Sequence, residues 1–339
     1  MNPSIAVVGA GAWGTAVAIH LARRDGLSVV LVARDPVQAR EIGDARVNAK
    51  YLPGVDMPRT LVVTGDSTAG ASADLLIVAT PIAALADVAR DLRAAGAHAP
   101  LAWLSKGFVT VPVSASHPAG VALAHQALAP LWPAPVGVVS GPSFAEEVAR
   151  GLPTAVAVAA TDAALAALIA ALLRADTLRA YESDDIAGVE TGGAVKNVLA
   201  IAAGASDGLG FGSNARAALI TRGLAETGRL STALGGRRDT LMGLAGLGDL
   251  VLTCTGDLTR NRRVGLALAR GRPLAEILAE LGHVAEGVAT AVAVRRLARH
   301  HGVDMPICDA VHDVLHEGVA VKSAVERLLS RPEPPSERI

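Results

Sequence analysis

The stretch from Ser4 to Val32, SIAVVGAGAWGTAVAIHLARRDGLSVVLV, decides the fold. An apolar run, Ser4 to Val8, meets Gly9 at once. A helical pattern follows from Thr15 to Arg24, and a second apolar run occupies Leu27 to Val32, so the segment reads as strand, helix, strand. Gly9, Gly11 and Gly14 lie between the first strand and the helix with the spacing G-x-G-x-x-G. In that context the first glycine permits a tight turn and the second lets backbone approach a pyrophosphate. The third lets helix and strand pack closely. The N–H groups of the helix start then face the phosphates. These features predict a dinucleotide site. Its second landmark lies at the end of the next strand, where an acidic residue takes a ribose 2′-hydroxyl and an arginine accommodates a 2′-phosphate. The chain reads Val32-Ala33-Arg34-Asp35 there, so Arg34 favours NADP(H) or use of both cofactors, while Asp35 keeps NAD(H) open.

Working outward, further strands are expected at Thr60 to Thr64, Leu75 to Thr80, Pro100 to Leu104, Gly137 to Val139, Thr154 to Ala159 and Leu178 to Tyr181, with a helix at Ile82 to Ala95. Runs such as LLIVA are apolar on both faces, as a parallel sheet covered by helices requires. A polar, turn-rich loop containing NAKYLPG (48–54) is expected between the second and third strands. Gly107 to Ala145 carries no Asp, Glu, Lys or Arg, but six prolines divide it into loops and short strands. After YESDD (181–185) strand signals stop, and long Ala/Leu/Val helical patterns run to about Leu329. The predicted fold is α/β: an N-terminal Rossmann-type doubly wound sheet over residues 1–182, then an all-α domain over 183–330. RPEPPSERI (331–339) reads as a flexible tail.

Composition narrows the function. The 31 basic and 32 acidic residues leave a net charge of -1, with no surplus to draw the protein onto nucleic acid or anionic lipid, so an anion must be met by a local site. No run of about 18 apolar residues free of charge and helix breakers is present, so no integral membrane segment is expected. Three Phe, three Trp and two Tyr disfavour a base-stacking surface. Two cysteines, Cys254 and Cys308, build neither a disulfide framework nor a metal cluster, and a reduced cytoplasmic protein is expected. Only four lysines, Lys50, Lys106, Lys196 and Lys322, stand against 27 arginines.

Two of those lysines sit where chemistry is needed. Hydride transfer to a carbonyl leaves an oxygen that must be protonated, and a lysine can trade a proton where an arginine cannot. Lys106 follows the strand LAWLS, whose C-terminal end faces the ligand crevice of a parallel sheet. Lys196 lies in GGAVKNV, a helix otherwise apolar from Val198 to Ala203, where burial beside a second cation would lower its pKa. A snorkelling surface lysine is the competing reading of each. Asp249, in GLGDL, reads as a carboxylate able to orient a lysine or as a helix N-cap. Thr259-Arg260-Asn261-Arg262-Arg263 groups hydroxyl, guanidinium and amide donors suited to a phosphate monoester, or forms a solvated basic face.

Taken together, GAGAWGTA, NAKYLPG, SKGF, SGPSFAEEVARGLPTAV, ETGGAVKNVLAIAAG, GLGDLVLTCT with TRNRR, and VAEGVAT resemble the bacterial-type NAD(P)-dependent glycerol-3-phosphate dehydrogenase family. The matching runs span Gly9 to Thr290 in order. The resemblance implies reversible reduction of dihydroxyacetone phosphate to sn-glycerol 3-phosphate, supplying glycerophospholipid synthesis. It implies that Lys196 is the proton acceptor in oxidation and donor in reduction. Lys106 would contact substrate and cofactor, Gly141 and Ser143 the substrate, and Ala145 the cofactor. It puts Asp249 beside lysine and substrate, Thr259, Arg260 and Asn261 on the substrate, and Arg260 also near the cofactor. Ala12, Trp13, Arg34, Val284 and Glu286 fall at cofactor positions, with Asn197 and Thr253 as helpers. Thr259 departs from the serine more common there but keeps the hydroxyl. No metal is implied. Related dehydrogenases of 3-hydroxy acid or 6-phosphogluconate type, and a non-catalytic dinucleotide-binding regulator, remain open at this point. Preference between NADP(H) and NAD(H) also stays open, and so does the oligomeric state, with a homodimer favoured.

Overall fold

The computed structural model describes residues 2–175, 177–256, 259–281 and 285–330. The opening unit is β1 (Ser4–Val8), α1 (Ala12–Ala22) and β2 (Ser28–Val32). There follow α2 (Pro36–Ala45), a hairpin of β3 (Val47–Asn48) and β4 (Leu52–Asp56), β5 (Val62–Thr64) and β6 (Leu75–Val78). A single 3-10 turn, Ile82–Ala84, leads into α3 (Leu85–Ala94), then β7 (Leu101–Trp103). A second hairpin, β8 (Val109–Thr110) with β9 (Val121–Ala122), precedes α4 (Ala124–Leu128), β10 (Val136–Ser140) and α5 (Ala145–Ala149). The sheet is completed by β11 (Thr154–Ala160), α6 (Ala163–Leu173) and β12 (Leu178–Ser183).

Eight strands form one sheet in the order β12-β11-β10-β7-β6-β1-β2-β5. The strand order reverses between β1 and β6, which pair in parallel, and this switch opens the ligand crevice at their C-terminal ends. Gly9, Thr80, Ser105 and Gly141 all follow strands at that edge. The fold is the expected doubly wound α/β sheet followed by helices, with two departures. β11 runs antiparallel to β10. The five-residue α5 rises only about 7 Å, against about 16 Å for a strand of β10's length, so it cannot carry the chain back to the opposite edge. The second departure is at residues 36–56, expected as loop: they form α2 and the β3–β4 hairpin. Asp35 caps α2 by accepting from Val37 N at 2.8 Å, and Pro36 stands at its first position, both helix-start signals. Only Ala39 and Ile42 of α2 are buried, so the hydrophobic pattern is too thin to reveal it. The same kind of departure recurs at α4, α5 and α6, which lie where no helix was expected.

The remainder is helical: α7 (Ile186–Gly208), α8 (Gly212–Ala233), α9 (Arg238–Leu241), a π turn at Leu244–Gly248, α10 (Asp249–Thr255), α11 (Arg260–Ala269), α12 (Leu274–Leu281), α13 (Glu286–His301), α14 (Pro306–His316) and α15 (Val321–Leu329). Of the described helices, α7 alone has the length and apolarity to cross a bilayer, and 89% of its apolar window is buried in the protein. It is the axis on which α8, α9, α10, α11, α13 and α14 pack. A Cβ at Gly204 would lie 2.0 Å from Arg262 O, and one at Gly265 1.9 Å from Ile201 O, so α7 and α11 touch backbone to backbone. That contact fixes the first half of α11 against the last third of α7. The expected tail at 331–339 lies outside the described residues.

Candidate active site

Three distant parts of the chain deliver charge to one point. β7 ends at Trp103 and sends Lys106 across the crevice, where its Nζ donates to Asp249 Oδ2 at 2.6 Å and to Gly141 O at 3.1 Å. From α7, Lys196 Nζ donates to Asp249 Oδ1 at 2.5 Å and to Thr253 Oγ1 at 2.9 Å. Asp249 begins α10, directly after the π turn, with Thr253 one helical turn further on. One carboxylate therefore bridges two ammoniums. Gly193 makes the crossing possible: a Cβ there would sit 2.8 Å from Ser140 Oγ and 3.5 Å from Lys106 Cγ.

The cluster is nearly dry, with Lys196 8% and Asp249 1% exposed. Burial lowers the Lys196 pKa to about 8, with Asp249 opposing the fall and Lys106 adding to it by repulsion. Burial acts to raise Asp249, but the two ammoniums and their hydrogen bonds hold its carboxyl below the usual range. Lys196 is thus a cation poised to give up a proton near neutral pH beside a carboxylate that stays ionised. The snorkelling reading of Lys196 does not survive this burial.

Next to the charges lies an amide pair. Asn261 Nδ2, in the first turn of α11, donates to Asn197 Oδ1 at 3.0 Å, and Asn261 Oδ1 accepts from Gly287 N at 3.1 Å. The Asn197 Nδ2 atom is buried without a hydrogen-bond partner, as are the hydroxyls of Thr80, Ser105 and Ser140. Thr80, Ser105 and Ser140 stand at or just past the C-terminal ends of β6, β7 and β10. Unsatisfied polar atoms are rare, and a group of them at one crevice marks where a polar ligand completes the structure. Ser143 Oγ donates to Gly141 O at 2.9 Å, beside Lys106. Thr259 Oγ1 donates to the carbonyls of Thr253 and Gly256 at 2.8 and 2.9 Å, which ties the start of α11 to α10. Arg260 is exposed at that start. Burial holds the Glu286 carboxyl, at the start of α13, above the usual range, against the attraction of Arg260, Lys196 and Lys106.

The glycine turn fits a dinucleotide. Gly9 has φ +117°, and a Cβ on it would meet the Ala79 carbonyl at 2.9 Å. A Cβ on Gly14 would lie 2.0 Å from Gly9 O, whereas one on Gly11 would meet nothing within 4 Å. The turn is therefore closed on the sheet side and open at Gly11. No side chain caps α1, leaving its first N–H groups to an anion. Ala12 and Trp13 form the first turn of α1, and Ala145 opens α5. Arg34 is exposed just past β2, at the 2′ position of a bound ribose by the rule of this fold. Asp35 spends its carboxylate on the α2 cap. Val284 lies outside the described residues. Sequence reasoning passed over Gly193, Ser140, Ser105 and Thr80, since buried serines and threonines look in sequence like those of any loop.

Similarity to known proteins covers nearly all of the chain. The description "NAD-dependent glycerol-3-phosphate dehydrogenase N-terminus" matches residues 4–166, and its C-terminus counterpart matches residues 185–326. The glycerol-3-phosphate dehydrogenase [NAD(P)+] of Aromatoleum aromaticum is 54% identical over 96% of this chain and 98% of its own length. That of Janthinobacterium sp. is 52% identical over 97% and 98%. The crystal structure of glycerol-3-phosphate dehydrogenase from Coxiella burnetii superposes with TM-score 0.90 at 42% identity, covering 97% of this chain and 99% of that one.

Proposed function

The chain belongs to the NAD-dependent glycerol-3-phosphate dehydrogenase family, and from that membership we propose how its residues divide the reaction. The enzyme reversibly reduces dihydroxyacetone phosphate to sn-glycerol 3-phosphate with NADH or NADPH. The bound nicotinamide cofactor supplies or takes the hydride. What remains for the protein is to bind, to orient and to move one proton.

Lys196 Nζ gives that proton to the substrate oxygen in reduction and takes it back in oxidation. The observation that carries this role is the buried Lys106–Asp249–Lys196 cluster, with the Lys196 pKa at about 8. Asp249 fixes both ammoniums and keeps the neutral lysine pointed at the site, while Lys106 supplies charge that favours proton release from Lys196. Asn261 and Asn197 face the phosphate, the unpaired Asn197 Nδ2 being available to it, and Arg260 contributes charge at the rim. Gly141 and Ser143 line the substrate side, with Thr259 and Thr253 holding the α10–α11 junction. Gly9, Gly11 and Gly14, with Ala12, Trp13, Arg34, Ala145 and Glu286, make up the cofactor side, to which family membership alone adds Val284. Residues 1–182 and 183–330 are the cofactor and substrate halves.

We further propose that the enzyme works as a homodimer in the cytoplasm and supplies glycerophospholipid synthesis. Two free, buried cysteines support a reducing compartment. The defining assay follows absorbance at 340 nm. NADPH should be consumed with dihydroxyacetone phosphate, while NADP⁺ with 6-phosphogluconate or 3-hydroxy acids should stay silent. Turnover of those acids with none of the ketone phosphate would overturn the assignment.

A further inference from the structure

The run NAKYLPG is explained by none of the catalytic or binding roles above. Its first residue, Asn48, closes the short hairpin strand β3 and is 1% exposed. Its amide nitrogen donates to Ala10 O at 2.9 Å and to Thr15 Oγ1 at 2.8 Å. Its amide oxygen accepts from Tyr51 N at 3.3 Å. Both donor hydrogens are thus spent outside the hairpin, on the glycine turn and on the first turns of α1. Ala10 stands between Gly9 and Gly11, so its carbonyl belongs to the peptide at the middle of the glycine turn.

We propose that Asn48 is a positioning residue for the dinucleotide site: it pins the Gly9–Gly14 turn and the start of α1 in the conformation that receives the pyrophosphate. Glycine gives the turn the backbone freedom to approach the ligand, and that same freedom is an ordering cost when the ligand binds. A buried amide that holds the Ala10 carbonyl and Thr15 together removes the cost in advance. Gln38 Nε2 also reaches Ala10 O, at 3.5 Å, but from a half-buried position on α2. Asn is suited to this task by its chemistry, since two donors and an acceptor on one short planar group serve three partners at once.

The inference rests on the dinucleotide reading, and its test separates the two. NADPH binding is measured directly, by quenching of the intrinsic tryptophan fluorescence and by calorimetry, and both KM values are measured beside it. The wild-type protein should bind NADPH; absence of binding there overturns the dinucleotide reading itself. Asn48→Ala should raise the NADPH Kd and KM roughly 10- to 100-fold, leave the KM for dihydroxyacetone phosphate within about twofold, and leave kcat at saturating NADPH within about threefold. Asn48→Asp keeps the acceptor for Tyr51 N and loses both donors, so it should bind NADPH no better than Asn48→Ala. If Asn48→Asp binds as wild type does, the hairpin and not the turn is what Asn48 serves, and the proposal is overturned. Where Asn48 variants do not fold, Thr15→Val, nearly isosteric, carries the test: a Kd raised about fivefold supports the pin and an unchanged Kd rejects it. In the ligand-free protein, amide exchange at residues 11–15 should speed up in each variant.

Discussion

The two ends of the crevice are built from different materials. At the proposed cofactor end the groups on offer are backbone: a glycine turn whose middle position is open, and the uncapped start of α1, within six residues of one another. At the proposed catalytic end they come from side chains just past β7 and on α7 and α10, brought together by hydrogen bonds spanning 143 and 53 residues of chain. On the proposed division, the backbone site holds the cofactor's phosphates through its shape. The side-chain site has a protonation state, and its output depends on pH. Substitutions should therefore fall into two kinds: those at the turn change how tightly the cofactor is held, and those at the cluster change turnover.

The strongest way to break this division is Lys196→Ala. Removing the proton carrier should lower kcat roughly 10³-fold or more, with NADPH Kd within about threefold of wild type. Turnover near wild type would remove Lys196 from the chemistry. The pH profile of the wild-type enzyme gives an independent reading. On the proposed role oxidation needs Lys196 neutral, so its kcat/KM should rise through a pH of about 8 and level off above; reduction needs the ammonium, and its kcat/KM should fall across the same range. Equal and parallel profiles in the two directions would break the assignment.

Gly14→Ala tests the other end. The added methyl would stand 2.0 Å from Gly9 O and 2.8 Å from Ala79 Cβ, so α1 must move away from β1. NADPH Kd should rise about 100-fold and stability should fall by about 1–3 kcal/mol, while kcat at saturating cofactor stays within about threefold. A fall in kcat larger than the rise in Kd would mean that the two ends are coupled more tightly than their construction suggests.

What was legible in the sequence follows the same division. The Gly9–Gly14 turn and its strands could be read because a backbone site is written in consecutive residues. Lys106, Lys196 and Asp249 could be singled out because charge in greasy or glycine-rich surroundings is costly without a partner. That one carboxylate bridges both lysines could not be read, since pairing across 143 residues has no local signature. The direction of β11 was equally hidden, because side-chain alternation is the same in parallel and antiparallel strands. α2 was written in Asp35-Pro36 but masked by a helix with only two buried residues. The role of Asn48 is equally illegible, because nothing in NAKYLPG says that its amide reaches Ala10.

Arg260→Ala comes next in size. Arg260 is exposed at the start of α11 and lies close enough to Glu286 to stabilise its carboxylate. Loss of its charge should raise the KM for dihydroxyacetone phosphate roughly 10- to 100-fold with a smaller change in kcat. An unchanged KM would return Arg260 to the solvated basic face. The Asn261–Asn197 pair, buried behind it, should keep the site's shape, so rescue by Arg260→Lys should be partial: charge returns but the planar fork does not.

The smallest expected effect is the most local. Arg34 is exposed just beyond β2, and Asp35, the residue that could have favoured NAD(H), is engaged by Val37 N as the cap of α2. A carboxylate committed to a helix start is poorly placed to take a ribose 2′-hydroxyl, and the neighbouring guanidinium attracts a 2′-phosphate. The wild-type enzyme should therefore use NADPH with the higher kcat/KM. An exposed ion pair is screened by water and salt, so Arg34→Ala should cut the NADPH-to-NADH ratio by only about 5- to 10-fold, with NADH kinetics nearly unchanged. The effect should shrink as ionic strength rises, unlike any effect at Lys196, where the charges are buried. A ratio that does not respond to Arg34→Ala would place cofactor choice in the shape of the backbone turn, and would extend the backbone-built end of the crevice as far as the ribose.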